Sequence, residues 1–130
     1  MDTVADLMVR DVLTVDPSDT IGEAAEKMNA ANVGAVVVVE DFARIVGIVT
    51  ERDLMRAVAA RARAAEARVR HWMTPDPVTI EPDLSIEAAA EIMFEHNFRH
   101  LPVVKEGRPL GIVSLRLLSR WAFESVQRTS

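Results

Sequence analysis

Gly47-Ile48-Val49-Thr50-Glu51-Arg52-Asp53-Leu54 and Gly111-Ile112-Val113-Ser114-Leu115-Arg116-Leu117 decide the fold, because the second stretch repeats the first at an offset of 64 residues. Upstream, the repeat continues at an offset of 65: Met8 falls on Met73, Thr14 on Thr79, Ile21 on Ile86, Met28 on Met93 and Asn32 on Asn97. Ala24-Ala25-Glu26 falls in the same way on Ala89-Ala90-Glu91. Two copies of one unit fill nearly the whole chain. Duplication of this kind implies a pseudo-twofold pair whose copies bury apolar faces against each other.

Each copy reads in the order β-α-β-β-α, a mixed α+β class. Val12-Leu13-Thr14-Val15 and Val78-Thr79-Ile80 are short β-rich pieces, each followed by an acid-Pro pair that discourages helix. A helix follows in each. Thr20-Ile21-Gly22-Glu23 is a capping-box pattern, and Ile21, Ala24, Ala25 and Met28 recur at helical spacing. In the second copy Ser85 caps Ile86, Ala89, Ala90 and Met93. The runs Val33–Val39 and Leu101–Val104 read as central strands, with return strands Ile45–Val49 and Leu110–Val113. Polar turns (Glu40-Asp41-Phe42-Ala43-Arg44 and Lys105-Glu106-Gly107-Arg108-Pro109) join each pair into a hairpin. Unbroken valine implies strands covered on both faces. Closing helices begin near Glu51 and run from about Leu115 to Val126. The domain reading is a first unit 1–60, a helical linker 61–70 and a second unit 71–130. The linker's Ala and Arg content, without Gly or Pro, favours helix.

Composition removes several function classes. The 130 residues contain no Cys, which excludes disulfides, thiolate zinc and thiol catalysis. A net charge of −5 argues against nucleic acid as a partner, and makes Arg61, Arg63, Arg68 and Arg70 a solvated face paired with Glu66. No apolar run is long enough to cross a bilayer, so no membrane partner is expected. The acidic start Met1-Asp2-Thr3-Val4-Ala5-Asp6 does not resemble a signal peptide, and the expected location is cytoplasmic. His71, His96 and His100 do not make a metal constellation, and no nucleophile–base pair suggests catalysis.

Two readings fit Thr50-Glu51-Arg52-Asp53. As a capping box after a strand it starts a helix, for which a cap is worth about 1 kcal/mol. The same geometry offers free N–H groups to phosphate and a carboxylate to ribose hydroxyls.

The doubled pattern resembles a pair of CBS (cystathionine-β-synthase-type) domains. Asn32-Val33-Gly34-Ala35-Val36-Val37-Val38-Val39 and Gly47–Leu54 carry the resemblance in the first copy. Trp72-Met73-Thr74-Pro75-Asp76-Pro77-Val78-Thr79-Ile80, Arg99-His100-Leu101-Pro102-Val103-Val104 and Gly111–Ser114 carry it in the second. The match covers about residues 4–126. The resemblance implies a regulatory module rather than an enzyme, of the stand-alone type and associating as a homodimer of pairs. Its regulatory ligand would be adenosine-containing (AMP, ADP, ATP or S-adenosylmethionine), with no other cofactor, and it would signal to an unidentified regulated protein. By the same resemblance, Asp53 takes the ribose and Thr50 approaches phosphate, with Arg99 and Arg116 as phosphate cations. The base then meets Val12, Thr14, Val36 and Val37. The second cleft would use Ser114, Arg52, Ile80, Leu101 and Pro102, with Val78 beside them. It departs from the pattern twice: Leu117 replaces the ribose carboxylate, and Gly34 stands where the first cleft has Arg99. It is therefore expected to be the weaker cleft. The alternative function is a structural interaction module that needs no ligand, using Arg120, Trp121 and Glu124 on the last helix together with the helix expected between the copies.

Overall fold

A computed structural model describes residues 2–41 and 43–129, without the side chains of 128 and 129. Phe42 of the first expected turn, with Met1 and Ser130, lies outside the described residues.

The first copy contains β1 (Thr14–Val15), α1 (Ile21–Ala31), β2 (Ala35–Glu40), β3 (Arg44–Thr50) and α2 (Glu51–Ala59). A short α3 (Val69–Trp72) and β4 (Thr74–Pro75) follow. The second copy contains α4 (Ile86–His96), β5 (His100–Lys105), β6 (Arg108–Ser114) and α5 (Leu115–Thr129). The β-α-β-β-α order is thus complete in the first copy. In the second, the leading strand is reduced to one parallel bridge, Ile80 to Val103.

A single residue explains that reduction. In the first copy the Val37 N–H donates to the Leu13 carbonyl at 3.1 Å, and Thr14 pairs with Val37 and Val15 with Val38. The residue equivalent to Val37 is Pro102, which has no N–H to give. Only the pairing equivalent to Val15–Val38 survives.

Each helix buries the stripe its periodicity predicts: Ile21, Ala24 and Met28 on α1, and Ile86, Ala89 and Met93 on α4. Thr20 caps α1 through a full capping box with Glu23, whereas Ser85 accepts only from the Ala88 N–H. Val36, Val38 and Val49 join Val15, Ala24, Met28 and Val69 in one core. Val37 points from the opposite side of β2 and is equally buried, as expected for a strand covered on both faces. Leu101, Val103, Val113, Ile80 and Met93 form the other core with Val4 and Met8.

The last two residues of that list reveal how the chain is organised. Compactness divides it into residues 12–77 and a second unit that joins residues up to 11 with those from 78 onward. Each copy's lead segment therefore packs against the other copy's sheet. The sheet of the first unit runs β1-β2-β3-β4, where β4 comes from the lead of the second copy and Thr74 pairs with Ile48. At the equivalent edge of the second unit Val9 pairs with Ile112. Val69 donates to the Asp19 carbonyl at 2.8 Å, and Val4 to the Leu84 carbonyl at 2.9 Å. The two thioethers lie against glycines. A Cβ on Gly47 would sit 2.5 Å from the Met73 sulfur, and one on Gly111 would sit 2.6 Å from that of Met8. This partition cuts across the repeat boundaries 1–60 and 71–130, because it follows packing rather than sequence similarity.

The helix expected over 61–70 is not formed. α2 ends at Ala59, Arg61 takes a left-handed φ of 63°, and helix resumes only at Val69. The segment forms a turn instead, with the Ala67 N–H donating to the Arg63 carbonyl at 2.8 Å, and has a different duty: the Ala67 and Ala64 carbonyls accept the Ile21 and Gly22 N–H groups, each at 2.9 Å. Those are unsatisfied donors of the first turn of α1. Helix propensity in an Ala/Arg stretch is worth only tenths of a kcal/mol per residue and yields to such bonds. Arg63 and Glu66 pair loosely at 3.7 Å on the surface.

Candidate functional site

The strand–helix junction of the first unit is the most polar buried feature among the described residues. Asp53 is 3% exposed, although it lies in the first turn of a surface helix. The capping box explains its position. The Thr50 Oγ1 accepts from the Asp53 N–H at 3.4 Å, and Asp53 Oδ2 accepts from the Thr50 N–H at 2.9 Å and the Thr50 hydroxyl at 3.2 Å. The other oxygen is equally engaged. Oδ1 accepts from the Arg56 guanidinium at 2.9 Å and from the Thr74 hydroxyl at 3.3 Å. A carboxylate offers about four lone-pair positions, and all four have donors here. Thr74 arrives on β4, whose pairing with Ile48 fixes it beside the junction.

Arg56 lies over this carboxylate. Its side chain is 56% exposed whereas that of Asp53 is 4% exposed. Its guanidinium carbon stands 5.9 Å from the centroid of the Trp72 ring, a cation–π distance. Arg56, Thr74 and the seat provided by Trp72 were not foreseen as site residues. The Asp-x-x-Arg spacing is visible in the sequence and places both side chains on one helix face. The Thr74 contact needs the β3–β4 register.

The equivalent junction in the second unit keeps the cap and loses the acid. Ser114 Oγ accepts from the Leu117 N–H at 3.2 Å, but Leu117 returns nothing. The local frame is otherwise the same: the Leu115 N–H donates to the Arg99 carbonyl at 2.8 Å, as that of Glu51 donates to the Gly34 carbonyl at 3.1 Å. Arg99 and Gly34 are thereby equivalent, and Arg99 and Arg116 are exposed.

The remaining expected residues divide by unit. Thr50, Asp53, Arg52, Val12, Thr14, Val36 and Val37 share the first, and Ser114, Arg99, Arg116, Ile80, Leu101 and Pro102 the second. Arg52 is exposed and Val12 half-buried outside the strand. The Thr14 carbonyl accepts from Lys27 Nζ at 2.8 Å. Val36, Val37, Leu101 and Pro102 are fully buried. His96 stacks on Phe98 with ring centroids 5.1 Å apart. No helix is long and apolar enough to cross a membrane among the described residues.

Doubled motifs and the strand–helix–hairpin–helix order define a tandem-repeat α+β fold. The CBS-domain family profile matches twice, over residues 4–60 and 69–124, and the chain belongs to the CBS-domain family. Its structure is similar to that of a CBS-domain containing protein from Agrobacterium tumefaciens, at 38% identity and a TM-score of 0.85 over 93% of this chain and 99% of that one. The CBS domain pair of protein MJ0100, in complex with 5′-methylthioadenosine and S-adenosyl-L-methionine, is 26% identical with a TM-score of 0.87, covering 93% of this chain and 99% of that one. The protein CBSX2, in complex with AMP, is 28% identical with a TM-score of 0.81, covering 96% and 98%.

Proposed function

We propose that this protein is a regulatory module that binds an adenosine-containing ligand through the Asp53 junction and reports its presence to another protein. The buried Asp53 carboxylate at the start of α2 carries this reading. Ribose is a vicinal diol, and a fixed carboxylate accepts from both hydroxyls. The positive end of the same helix, with the Thr50 hydroxyl beside it, suits phosphate. Solved relatives bound to AMP and to S-adenosyl-L-methionine support an adenosine class. Arg99 and Arg116 supply phosphate cations in this proposal, and Val12, Thr14, Val36 and Val37 supply the base site. The Ser114 junction, with Arg52, Ile80, Leu101 and Pro102, is the weaker of the two. The protein acts without catalysis, in the cytoplasm, as a homodimer of pairs.

A second reading has its own observation. Asp53 is saturated by Thr50, Thr74 and Arg56, as a purely structural cap would be. In that case the exposed Phe123 and Val126 of α5, near Arg120 and Glu124, serve a protein partner without ligand. A thermal-shift screen with AMP, ADP, ATP and S-adenosylmethionine separates the two. Ligand at a hundredfold excess over its dissociation constant adds about 2.7 kcal/mol of stability. A raised Tm with at least one compound is expected. No rise with any of them favours the interaction module.

A further inference from the structure

We infer that Arg56 is a displaceable cover on the Asp53 carboxylate, so that ligand affinity is set by competition between this guanidinium and a ribose hydroxyl for Oδ1. The inference rests on the adenosine-ligand reading and adds a regulatory element to that site.

Two of the four bonds to Asp53 come from Thr50 and belong to the capping box. They tie Oδ2 to the cap residue beside it. The exchangeable oxygen is Oδ1, held by Thr74 and Arg56. Thr74 is short and fixed on a paired strand. Arg56 is long, 56% exposed at its side chain, and among the described residues is anchored otherwise by the face of Trp72. A half-exposed ion pair is weak enough to break. Asp53 itself is nearly inaccessible, so a diol reaches it only when Arg56 swings out. The swing removes the cation from Trp72 and frees the guanidinium toward a phosphate. The second junction, with Leu117, has no carboxylate to cover.

The test uses the whole chain with Arg56→Gln, and with Trp121→Phe so that Trp72 is the sole indole. Equilibrium dialysis with adenosine and AMP gives affinities, and Trp72 emission gives the position of Arg56. Arg56→Gln tightens adenosine binding by about two- to fivefold, the scale of a lost competing ion pair. It tightens AMP less, because the freed guanidinium no longer helps the phosphate. In the Trp121→Phe protein, saturating AMP changes Trp72 emission, and adding Arg56→Gln removes that change. AMP binding that leaves Trp72 emission unaltered overturns the inference while the ligand reading stands. Adenosine binding equal or weaker in Arg56→Gln overturns it as well. If neither protein binds adenosine or AMP, both the inference and the reading beneath it fall.

Discussion

The junctions at Thr50–Asp53 and Ser114–Leu117 share a strand, a hydroxyl cap and a helix start, and differ most sharply three residues after the cap, where Asp53 faces Leu117 in the repeat. At the first, an acid closes the capping box and draws Thr74 and Arg56 into a four-bond cluster. At the second, the hydroxyl still caps the helix and the Leu117 side chain has no acceptor to offer. The fold therefore needs only the hydroxyl. The carboxylate is an addition that helix initiation does not require.

The sharpest way to break the comparison is Leu117→Asp. The substitution restores an acid opposite Ser114, and a second ligand equivalent per chain is expected by isothermal titration. This new site should be weaker than the first, because Gly34 stands where the other copy has Arg99. Stoichiometry unchanged from wild type would mean that the carboxylate is not what distinguishes the two.

A smaller effect separates the sheet edges. At Gly111 an added Cβ would lie 2.8 Å from the Val9 backbone oxygen, whereas at Gly47 the nearest backbone atom is the Thr74 oxygen at 3.1 Å. A thioether can turn aside and a paired strand cannot. Gly111→Ala is expected to cost about 1–3 kcal/mol in denaturant unfolding, and Gly47→Ala less. Equal costs would remove the difference between the edges.

The smallest effect concerns acid. Hydrogen bonds from the Thr20 backbone, then from its hydroxyl, hold the Glu23 carboxyl below its ordinary 4.5. The equivalent residue in the second copy is Ala88, and its cap lacks the acid. A lowered folded value means that the stabilisation is present above pH 4.5 and lost as pH falls through the folded pKa. Glu23→Gln should therefore narrow the gap in denaturation midpoint between about pH 7 and about pH 3. Ala88→Glu should widen it.

Much of this was legible in the sequence. The repeat offset, the helix stripes and both hairpins follow from period and capping, which are local. The Thr50–Asp53 box was equally visible. The exchange of lead segments was not, because Val4, Met8, Val69 and Met73 carry no mark of which sheet edge they meet. The helix expected over 61–70 failed for a related reason: the needs of Ile21 and Gly22, some 40 residues away, outweigh local propensity. The loss of the leading strand in the second copy could have been anticipated, since Pro102 stands in for Val37 and proline cannot donate.

The most direct test is a calorimetric titration of AMP into wild type, Asp53→Ala and Leu117→Ala, with circular dichroism to establish that each is folded. Asp53→Ala should lose about a hundredfold or more in affinity, as expected when a buried group that accepts from two ligand hydroxyls is removed. Leu117→Ala should keep one equivalent at wild-type affinity. Binding that survives Asp53→Ala and disappears in Leu117→Ala would contradict the account.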